Sequence, residues 1–293
     1  MHSRRTKRKV FVLEALNSMA TSYYFYYLFF FLRAEFKFGD LGNLVFCASN
    51  GFVYMFAAWF GGRFAQKHGY LFALRLGFSI AALALGVGSQ VANVPAHLIV
   101  MVGWTIGVCF IWPTLEALVS ERESGRQLQR MVGIYNIVWA AANAVAYFTG
   151  GAMLEHFGLR SIFYVPLGLH VLSLVLLFNL ERRVRAFPTA PPSDLVSGAE
   201  TSTVVERLAS PVHPKVFLKM AWIANPFAYI AINAVVPVIP RLAHRLDLSA
   251  TFAGFLCSVW FFARAGAFVF LWLWTGWHYR FRWLATAYVT MIL

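Results

Sequence analysis

The sequence contains long apolar runs that no charged residue interrupts. Residues 41–60 carry no Asp, Glu, Lys or Arg, and neither do residues 76–94. Each run is long enough to cross a hydrocarbon layer of about 30 Å as a helix. Lipid offers no partners for free backbone amides, so such segments must be helical. Only the short basic stretch 61–70 separates the two runs. This spacing predicts two spanning helices joined by a tight turn at one membrane surface.

The composition agrees with a chain that crosses a membrane several times. Of its 293 residues, 60% are hydrophobic and 13% are charged, whereas about a quarter are charged in soluble domains. The net charge of +13 does not indicate nucleic acid as a partner, because the cations lie between apolar runs. Cys47, Cys109 and Cys257 lie inside apolar runs without the spacing of a disulfide framework or a metal site. We therefore expect no metal and no cofactor.

The apolar runs predict eight complete spans and the beginning of a ninth. No small-residue cleavage site follows the basic residues 1–9, so the first run is expected to be retained and not to act as a signal peptide. Because the chain stops within the ninth run, we expect it to be a C-terminally truncated fragment. The predicted spans are about 10–31, 41–60, 73–93, 97–119, 132–153, 161–179, 216–239, 250–274 and 283–293.

The basic residues predict the orientation of these spans. Nineteen of the 25 Lys and Arg residues fall in connections on the side of the N-terminus, and five fall on the other side. Cytoplasmic connections carry such an excess of cations. The sequence therefore predicts a multi-pass protein of the plasma (inner) membrane with a cytoplasmic N-terminus.

A long polar segment divides the spans. Residues 181–215 are rich in Pro, Ser and Thr and show no apolar period, which is typical of a flexible linker. We therefore expect a six-helix bundle over residues 1–180, a cytoplasmic linker over 181–215, and an incomplete second bundle over 216–293.

The basic stretch between the second and third spans resembles the signature loop of the major facilitator superfamily of secondary transporters. The family pattern is Gly-x-x-x-Asp-Arg-x-Gly-Arg-Arg, and residues 62–71 here are GRFAQKHGYL. Gly62, Lys67 and Gly69 fit the pattern, and Gln66 replaces the acidic residue. The resemblance implies that Gly62, Gln66, Lys67 and Gly69 form a gating loop whose charge relay is weakened by the uncharged Gln66.

The resemblance also implies the fold class. The expected fold is an all-α integral membrane protein whose full form has two six-helix halves. About eight and a half of these spans are expected in the present sequence. Two further family patterns are absent. Gly103 stands where the family has an arginine in its fourth span, and Ala146-Tyr147 replaces the Gly-Pro pair that is linked to antiport. These departures argue against drug/proton antiport and leave the substrate class open.

Polar residues recur at helical spacing on the first, second, fourth, fifth and seventh spans. Polar side chains in lipid are costly unless they face protein or water, so these stripes predict faces that line a cavity. The third and sixth spans carry few polar residues, and in the family the helices at these positions support the bundle from outside. The predicted substrate path consists of these stripe residues and Arg264: Asn17, Thr21, Tyr24, Asn50, Tyr54, Trp112, Asn136, Asn143, Asn225, Tyr229, Asn233 and Arg264.

The polar stripes have a structural alternative. Asn and Thr side chains can instead form hydrogen bonds that hold the helices together. Tyrosines near a membrane surface often belong to an interfacial belt, and we assign Tyr23, Tyr26 and Tyr27 to this class. Gly103 and Gly107 are spaced to allow close approach of a neighbouring helix to the fourth span.

Arg264 lies near the middle of the eighth span. A guanidinium there costs roughly 3 kcal/mol or more unless it is paired or hydrated. We expect Arg264 to face an aqueous path and to bind an anionic or polyhydroxylated substrate. The alternatives are a structural ion pair with a carboxylate and contact with backbone carbonyl groups.

Glu14 and Glu116 lie toward the cytoplasmic ends of the first and fourth spans. A carboxyl group partly withdrawn from water can carry a proton through a transport cycle, so both are candidates for proton coupling. The alternative is that each is a helix-end charge close to the membrane surface.

These features favour a monomeric secondary active transporter that moves a small solute by alternating access between two halves, with the proton as a candidate coupling ion. An integral-membrane acyl or glycosyl transferase is an alternative, but no metalloprotease, nucleophile-elbow or phosphate-loop motif is present. A non-transporting receptor on the same scaffold is a third class. No catalytic residue is assigned. The expected partners are the small-molecule substrate, the proton and the lipid bilayer.

Overall fold

The computed structural model describes residues 4–186, 214–277 and 280–292, and within them the chain is helical without strands. Two short 3-10 turns lie at Val236–Val238 and at Thr275–Trp277. The α-helices are α1 (Arg4–Phe36), α2 (Asp40–His68), α3 (Tyr70–Gly88), α4 (Val94–Ser120), α5 (Gly125–Phe157), α6 (Ser161–Ala186), α7 (Pro214–Val235), α8 (Ile239–Arg245), α9 (Ala250–Leu273) and α10 (Phe281–Ile292).

The described helices confirm the all-α membrane fold predicted from the apolar runs. Seven segments are long and apolar enough to cross a membrane, namely six within α2 to α6 and α9, and one from Lys215 to Arg245 that covers most of α7 and all of α8. The 33-residue α1 is not in this set, although it lies in the middle of the first bundle. Its Glu14, Asn17 and tyrosines make it less apolar than the other long helices.

Helices α1 to α6 pack as one bundle. α1 packs against α5 and α6, α3 packs against α4 and α6, and α2 packs against α4. α3 and α4 approach closely at Gly77 and Gly107, where a Cβ on either glycine would lie 2.8 Å from the carbonyl oxygen of the other. The small-residue pair predicted in the fourth span therefore acts mainly through Gly107, since a Cβ on Gly103 would make an ordinary contact of 3.5 Å with Ala84.

Local sequence signals set several helix ends. The Asn93 side chain accepts a hydrogen bond of 2.9 Å from the backbone amide of Ala96, and Pro95 occupies the first turn of α4. The Ser249 hydroxyl group accepts a hydrogen bond of 3.1 Å from the backbone amide of Phe252 at the start of α9. Gly158, with φ of +81°, ends α5.

The predicted turn at residues 61–70 is wrong in its extent. α2 continues through Gly61, Gly62 and Lys67 to His68, and Gly69, with φ of +96°, alone makes the reversal into α3. Gly61 lies against the backbone of Cys109 in α4, where a Cβ would overlap the carbonyl group. Close packing, and not a positive φ, explains glycine at this position.

Helix α9 packs along the length of α5 and joins the second part of the chain to the first. At one end Trp272 covers Gly133, and at the other end Gly151 lies against the backbone of Ala250. α6 extends to Ala186, so the predicted linker begins as helix, and it ends as helix at Pro214. The rest of that linker, residues 187–213, lies outside the described residues.

The tyrosines near the end of α1 are buried between helices, so their assignment to an interfacial belt is wrong for Tyr23 and Tyr27. The hydroxyl groups of Tyr23 and Ser161 share a hydrogen bond of 2.6 Å. Tyr27 donates a hydrogen bond of 2.7 Å to the carbonyl oxygen of Tyr147. Tyr26 is half-buried, with its ring centroid 4.7 Å from that of Tyr147 and 5.1 Å from that of Phe261.

Candidate functional site

Glu14 is fully buried on α1, at 0% exposure. Its carboxyl group accepts a hydrogen bond of 2.7 Å from Ser18, one turn further along α1, and another of 2.9 Å from the hydroxyl group of Tyr135 on α5. Burial and two donors distinguish Glu14 from a helix-end charge at a membrane surface. The carboxyl group therefore links α1 to α5 inside the bundle.

A second carboxyl group lies close to this one. Glu116 on α4 is exposed, and it is within electrostatic range of Glu14, Tyr54 and Tyr135. The ring centroids of Tyr54 and Trp112 are 6.3 Å apart. We call Glu14, Tyr54, Trp112, Glu116 and Tyr135 the acidic cluster. It brings residues of α1, α2, α4 and α5 together.

Arg264 lies halfway along α9 among aromatic rings. Its guanidinium carbon is 4.3 Å from the ring centroid of Trp139, 5.6 Å from that of Trp260 and 5.8 Å from that of Phe268. The hydroxyl group of Tyr26 is within electrostatic range. We call these five residues the arginine site. Among the described residues, no carboxylate forms an ion pair with Arg264. The predicted structural ion pair is therefore not found in the described part of the chain.

Tyr229 of α7 connects the two groups of residues. It lies within electrostatic range of Tyr26 in the arginine site and of Tyr54 in the acidic cluster. Tyr54 and Tyr229 are both partly exposed. Tyr229 is thus near residues of both groups, and the assignment of these residues to a substrate path stays a prediction.

Three predicted path residues of α1 lie on a face of that helix other than the one that carries Tyr26. Asn17, Thr21 and Tyr24 are buried, and their side-chain polar atoms have no hydrogen-bond partner among the described residues. Tyr24 packs against Trp104 of α4 and Phe163 of α6, with ring centroids 4.7 and 5.8 Å apart. This face points into the bundle of α1 to α6, whereas the half-exposed face of α1 carries Tyr26. Their role in the path stays a prediction.

Two of the predicted asparagines form hydrogen bonds between helices. The side chain of Asn50 donates a hydrogen bond of 2.6 Å to the hydroxyl group of Thr105 on α4. Asn143 accepts a hydrogen bond from Ser22 on α1. These bonds match the structural alternative for polar stripes.

The remaining predicted asparagines lie on α5 and α7. Asn233 donates 2.9 Å to the carbonyl oxygen of Tyr229 in its own helix. Asn136 is half-buried on α5, one residue after Tyr135. The side chain of Asn225 lies outside the described part of the structure.

The predicted gating-loop residues lie together at one end of α2. Gln66, Lys67 and Gly69 are exposed, and Gly62 is half-buried. The guanidinium group of Arg63 stacks at 3.8 Å from the ring centroid of Trp59. The N-terminus of α1 lies on the same side of the bundle, where Lys7 pairs with Glu123.

Sequence analysis missed a set of contacts on the side opposite the N-terminus, which we call the far side. Asp40 of α2 pairs with Arg241 of α8. The side chain of Asn43 donates a hydrogen bond of 3.1 Å to the carbonyl oxygen of Pro237. No sequence signal marks these partners beyond their positions at the ends of apolar runs.

A second far-side contact joins α5 to the start of α9. The Glu155 carboxylate accepts hydrogen bonds of 3.0 Å from the amide and 2.5 Å from the hydroxyl group of Thr251. Together with the α2 contacts, this bond holds the first bundle against residues 236–254 on the far side.

The described residues contain no group of three or more His, Cys, Asp or Glu side chains that could hold a metal ion.

Comparison with known proteins identifies one family. The model of the Major Facilitator Superfamily matches residues 8–293, nearly the whole sequence. A search of curated proteins found no match to the chain.

Proposed function

Because the chain belongs to the major facilitator superfamily, a family of membrane transporters, we propose that it is a secondary transporter of a small anionic solute. The solute binds between α1–α6 and the helices from α7 onward, and the two parts rock about it to give alternating access. The N-terminus and the gating-loop end of α2 face the cytoplasm, since most of the cations lie there.

The observation that carries this proposal is the unneutralised charge of Arg264. Contact with Trp139 at 4.3 Å holds the guanidinium in position, but a ring quadrupole does not cancel a full positive charge. A cation deep in a membrane helix is costly unless an opposite charge or water accompanies it. A solute carboxylate that binds Arg264 would supply that charge in the middle of the path.

The route from Arg264 toward the cytoplasm passes the acidic cluster. Tyr229 is near Tyr26 of the arginine site and near Tyr54 of the acidic cluster, and Tyr54 is beside Trp112. Their aromatic rings offer apolar surface together with hydroxyl and indole hydrogen-bonding groups, as is usual for small-molecule sites. We assign these three residues and Arg264 to the substrate path.

Proton coupling is assigned to the acidic cluster. Glu14 can take up a proton when the path admits water, and its hydrogen bond to Tyr135 holds the carboxyl group in place between α1 and α5. Glu116, an exposed carboxyl group in the same cluster, is the second candidate. Symport of one proton with one anion would move no net charge, which avoids the electrical work of carrying a lone anion across the membrane.

The far-side contacts support a conformation that is closed away from the cytoplasm. Asp40–Arg241 and Glu155–Thr251 both bridge the first bundle and residues 236–254. In alternating access these contacts would break when the path opens to the far side.

Counterflow tests the proposal. The purified protein is reconstituted into liposomes that are preloaded with an unlabelled carboxylate, and entry of the same radiolabelled carboxylate is followed without a pH gradient. We expect transient accumulation of labelled carboxylates and none of the corresponding neutral amides. Equal accumulation of amides would exclude an anion site. A receptor or an enzyme would show binding or turnover without counterflow.

A further inference from the structure

The guanidinium of Arg264 keeps its hydrogen-bonding edge unused among the described residues. The Trp139 ring lies at 4.3 Å and the Trp260 and Phe268 rings lie at 5.6 and 5.8 Å. Contacts with ring faces leave the in-plane N–H groups of a guanidinium unoccupied. These groups form a fork that fits a carboxylate with two parallel hydrogen bonds. The site is therefore suited to a planar anionic group.

The surface beside this fork is aromatic. Trp260 is 41% exposed and lies one turn before Arg264. Phe261 is buried behind Trp260, with its ring centroid 5.1 Å from that of Tyr26 and 5.3 Å from that of Tyr147. The surface beside Arg264 therefore consists mainly of aromatic rings, which suit an apolar ring better than a polyhydroxylated solute.

We propose that the arginine site binds solutes in which one carboxylate is attached to an aromatic ring, a proposal that rests on the anion transport proposed above. The carboxylate binds the guanidinium of Arg264, and the ring of the solute packs against the exposed indole of Trp260. One cation in the site matches one carboxylate. Aromatic pairs gain energy beyond the area that they bury, so the site favours an aromatic ring over a saturated ring of the same size.

The test compares benzoate with cyclohexanecarboxylate, which has the same charge and the same number of carbon atoms but no π system. Binding of each to the purified full chain is measured by isothermal titration calorimetry, with acetate as a third ligand. We expect benzoate to bind about three- to tenfold more tightly than cyclohexanecarboxylate. Equal affinity for the two ring acids would overturn this inference while leaving the anion site intact. If none of the three anions binds, the proposed function itself fails.

Trp260→Leu separates contact with the solute from support of Arg264. We expect it to lower affinity for benzoate more than affinity for acetate, so that the preference for benzoate over cyclohexanecarboxylate disappears. The control is Phe262→Leu on the opposite face of α9, where Phe262 packs against Phe148 with ring centroids 6.2 Å apart. A Trp260→Leu protein that loses acetate and benzoate binding equally would show that Trp260 only holds Arg264, and this would overturn the proposal. The comparison of ligands on the unmodified protein is independent of how either variant folds.

Discussion

Asp40 at the start of α2 forms an ion pair with Arg241 in α8. The two residues are 201 positions apart and belong to the two parts of the chain that the transport cycle would move against each other. The pair lies at the far side, beside the hydrogen bond from Asn43 to the carbonyl oxygen of Pro237. It is therefore placed to stabilise the state in which the far side is closed.

Asp40→Asn is expected to open the far side more often. Partly exposed ion pairs contribute up to about 1 kcal/mol, which corresponds to at most about a fivefold change in population. Cys47 reports this opening, because its thiol contacts the carbonyl oxygen of Asn233 at 3.5 Å. Its labelling by a membrane-impermeant maleimide, mapped by mass spectrometry, should accelerate by up to about that factor. The control is Asp247→Asn, which changes an exposed carboxylate on the same side and should leave the labelling rate of Cys47 unchanged. If Cys47 is labelled in Asp40→Asn at the rate of the unmodified protein, the ion pair does not hold the far side closed.

Glu14→Gln is expected to uncouple transport from the proton. The amide preserves the shape of the side chain and one acceptor for the Tyr135 hydroxyl group, but it cannot take up and release a proton. In proteoliposomes, accumulation driven by an imposed pH gradient should be lost while counterflow persists. Glu35→Gln, at the exposed end of α1, serves as the control. Gradient-driven accumulation that survives Glu14→Gln would move proton coupling to Glu116 or to another group.

Arg264→Gln is expected to weaken binding of a carboxylate by about ten- to a hundredfold, because hydrogen bonds to charged groups contribute about 1.5–3 kcal/mol. Arg264→Lys keeps the positive charge but loses the two parallel N–H donors of the guanidinium. Its affinity for a carboxylate should therefore lie between those of the unmodified protein and Arg264→Gln. Calorimetry with benzoate measures both. Arg245→Gln, an exposed arginine on the far side, is the matched control. Unchanged affinity in Arg264→Gln would remove this residue from the substrate path.

Gly107→Ala is expected to destabilise the first bundle. The added Cβ would lie 2.8 Å from the carbonyl oxygen of Gly77 and from the amide nitrogen of Ala81, so α3 and α4 must separate. Such overpacking costs about 1–3 kcal/mol. Gly103→Ala in the same helix would make only an ordinary contact of 3.5 Å with Ala84. In detergent, the midpoint temperature of thermal unfolding should fall clearly for Gly107→Ala and change little for Gly103→Ala. Equal midpoint temperatures for the two variants would contradict the close crossing of α3 and α4.

Much of the fold follows from the sequence, because the length and polarity of a membrane span are local properties. The uncharged run 41–60 lies within α2, and the run 76–94 covers most of α3. The end of α2 was predicted wrongly, since the Gly61-Gly62 pair suggests a turn when its neighbours are unknown. The backbone of Cys109 explains the glycine at position 61, and that contact joins positions far apart in sequence.

The candidate site was predicted in part. Glu14 and Arg264 are recognisable because charged residues are rare inside apolar runs. Their partners Tyr135 and Trp139 are ordinary aromatic residues that acquire a role only through the packing of α5 against α1 and α9. Spacing also cannot decide which way a polar stripe faces. Asn17 and Tyr24 share a face, and the structure turns that face into the first bundle.

A reversible crosslink across the far side tests most directly whether the two parts must separate during transport. In a background without native cysteines, Asp40→Cys and Arg241→Cys are joined by a short cleavable thiol crosslinker, at positions that are in contact in this structure. We expect counterflow of a labelled carboxylate to stop when the crosslink forms and to return when it is cleaved, while either single cysteine variant stays active after the same treatment. Full counterflow through crosslinked protein would contradict alternating access between these two parts of the chain.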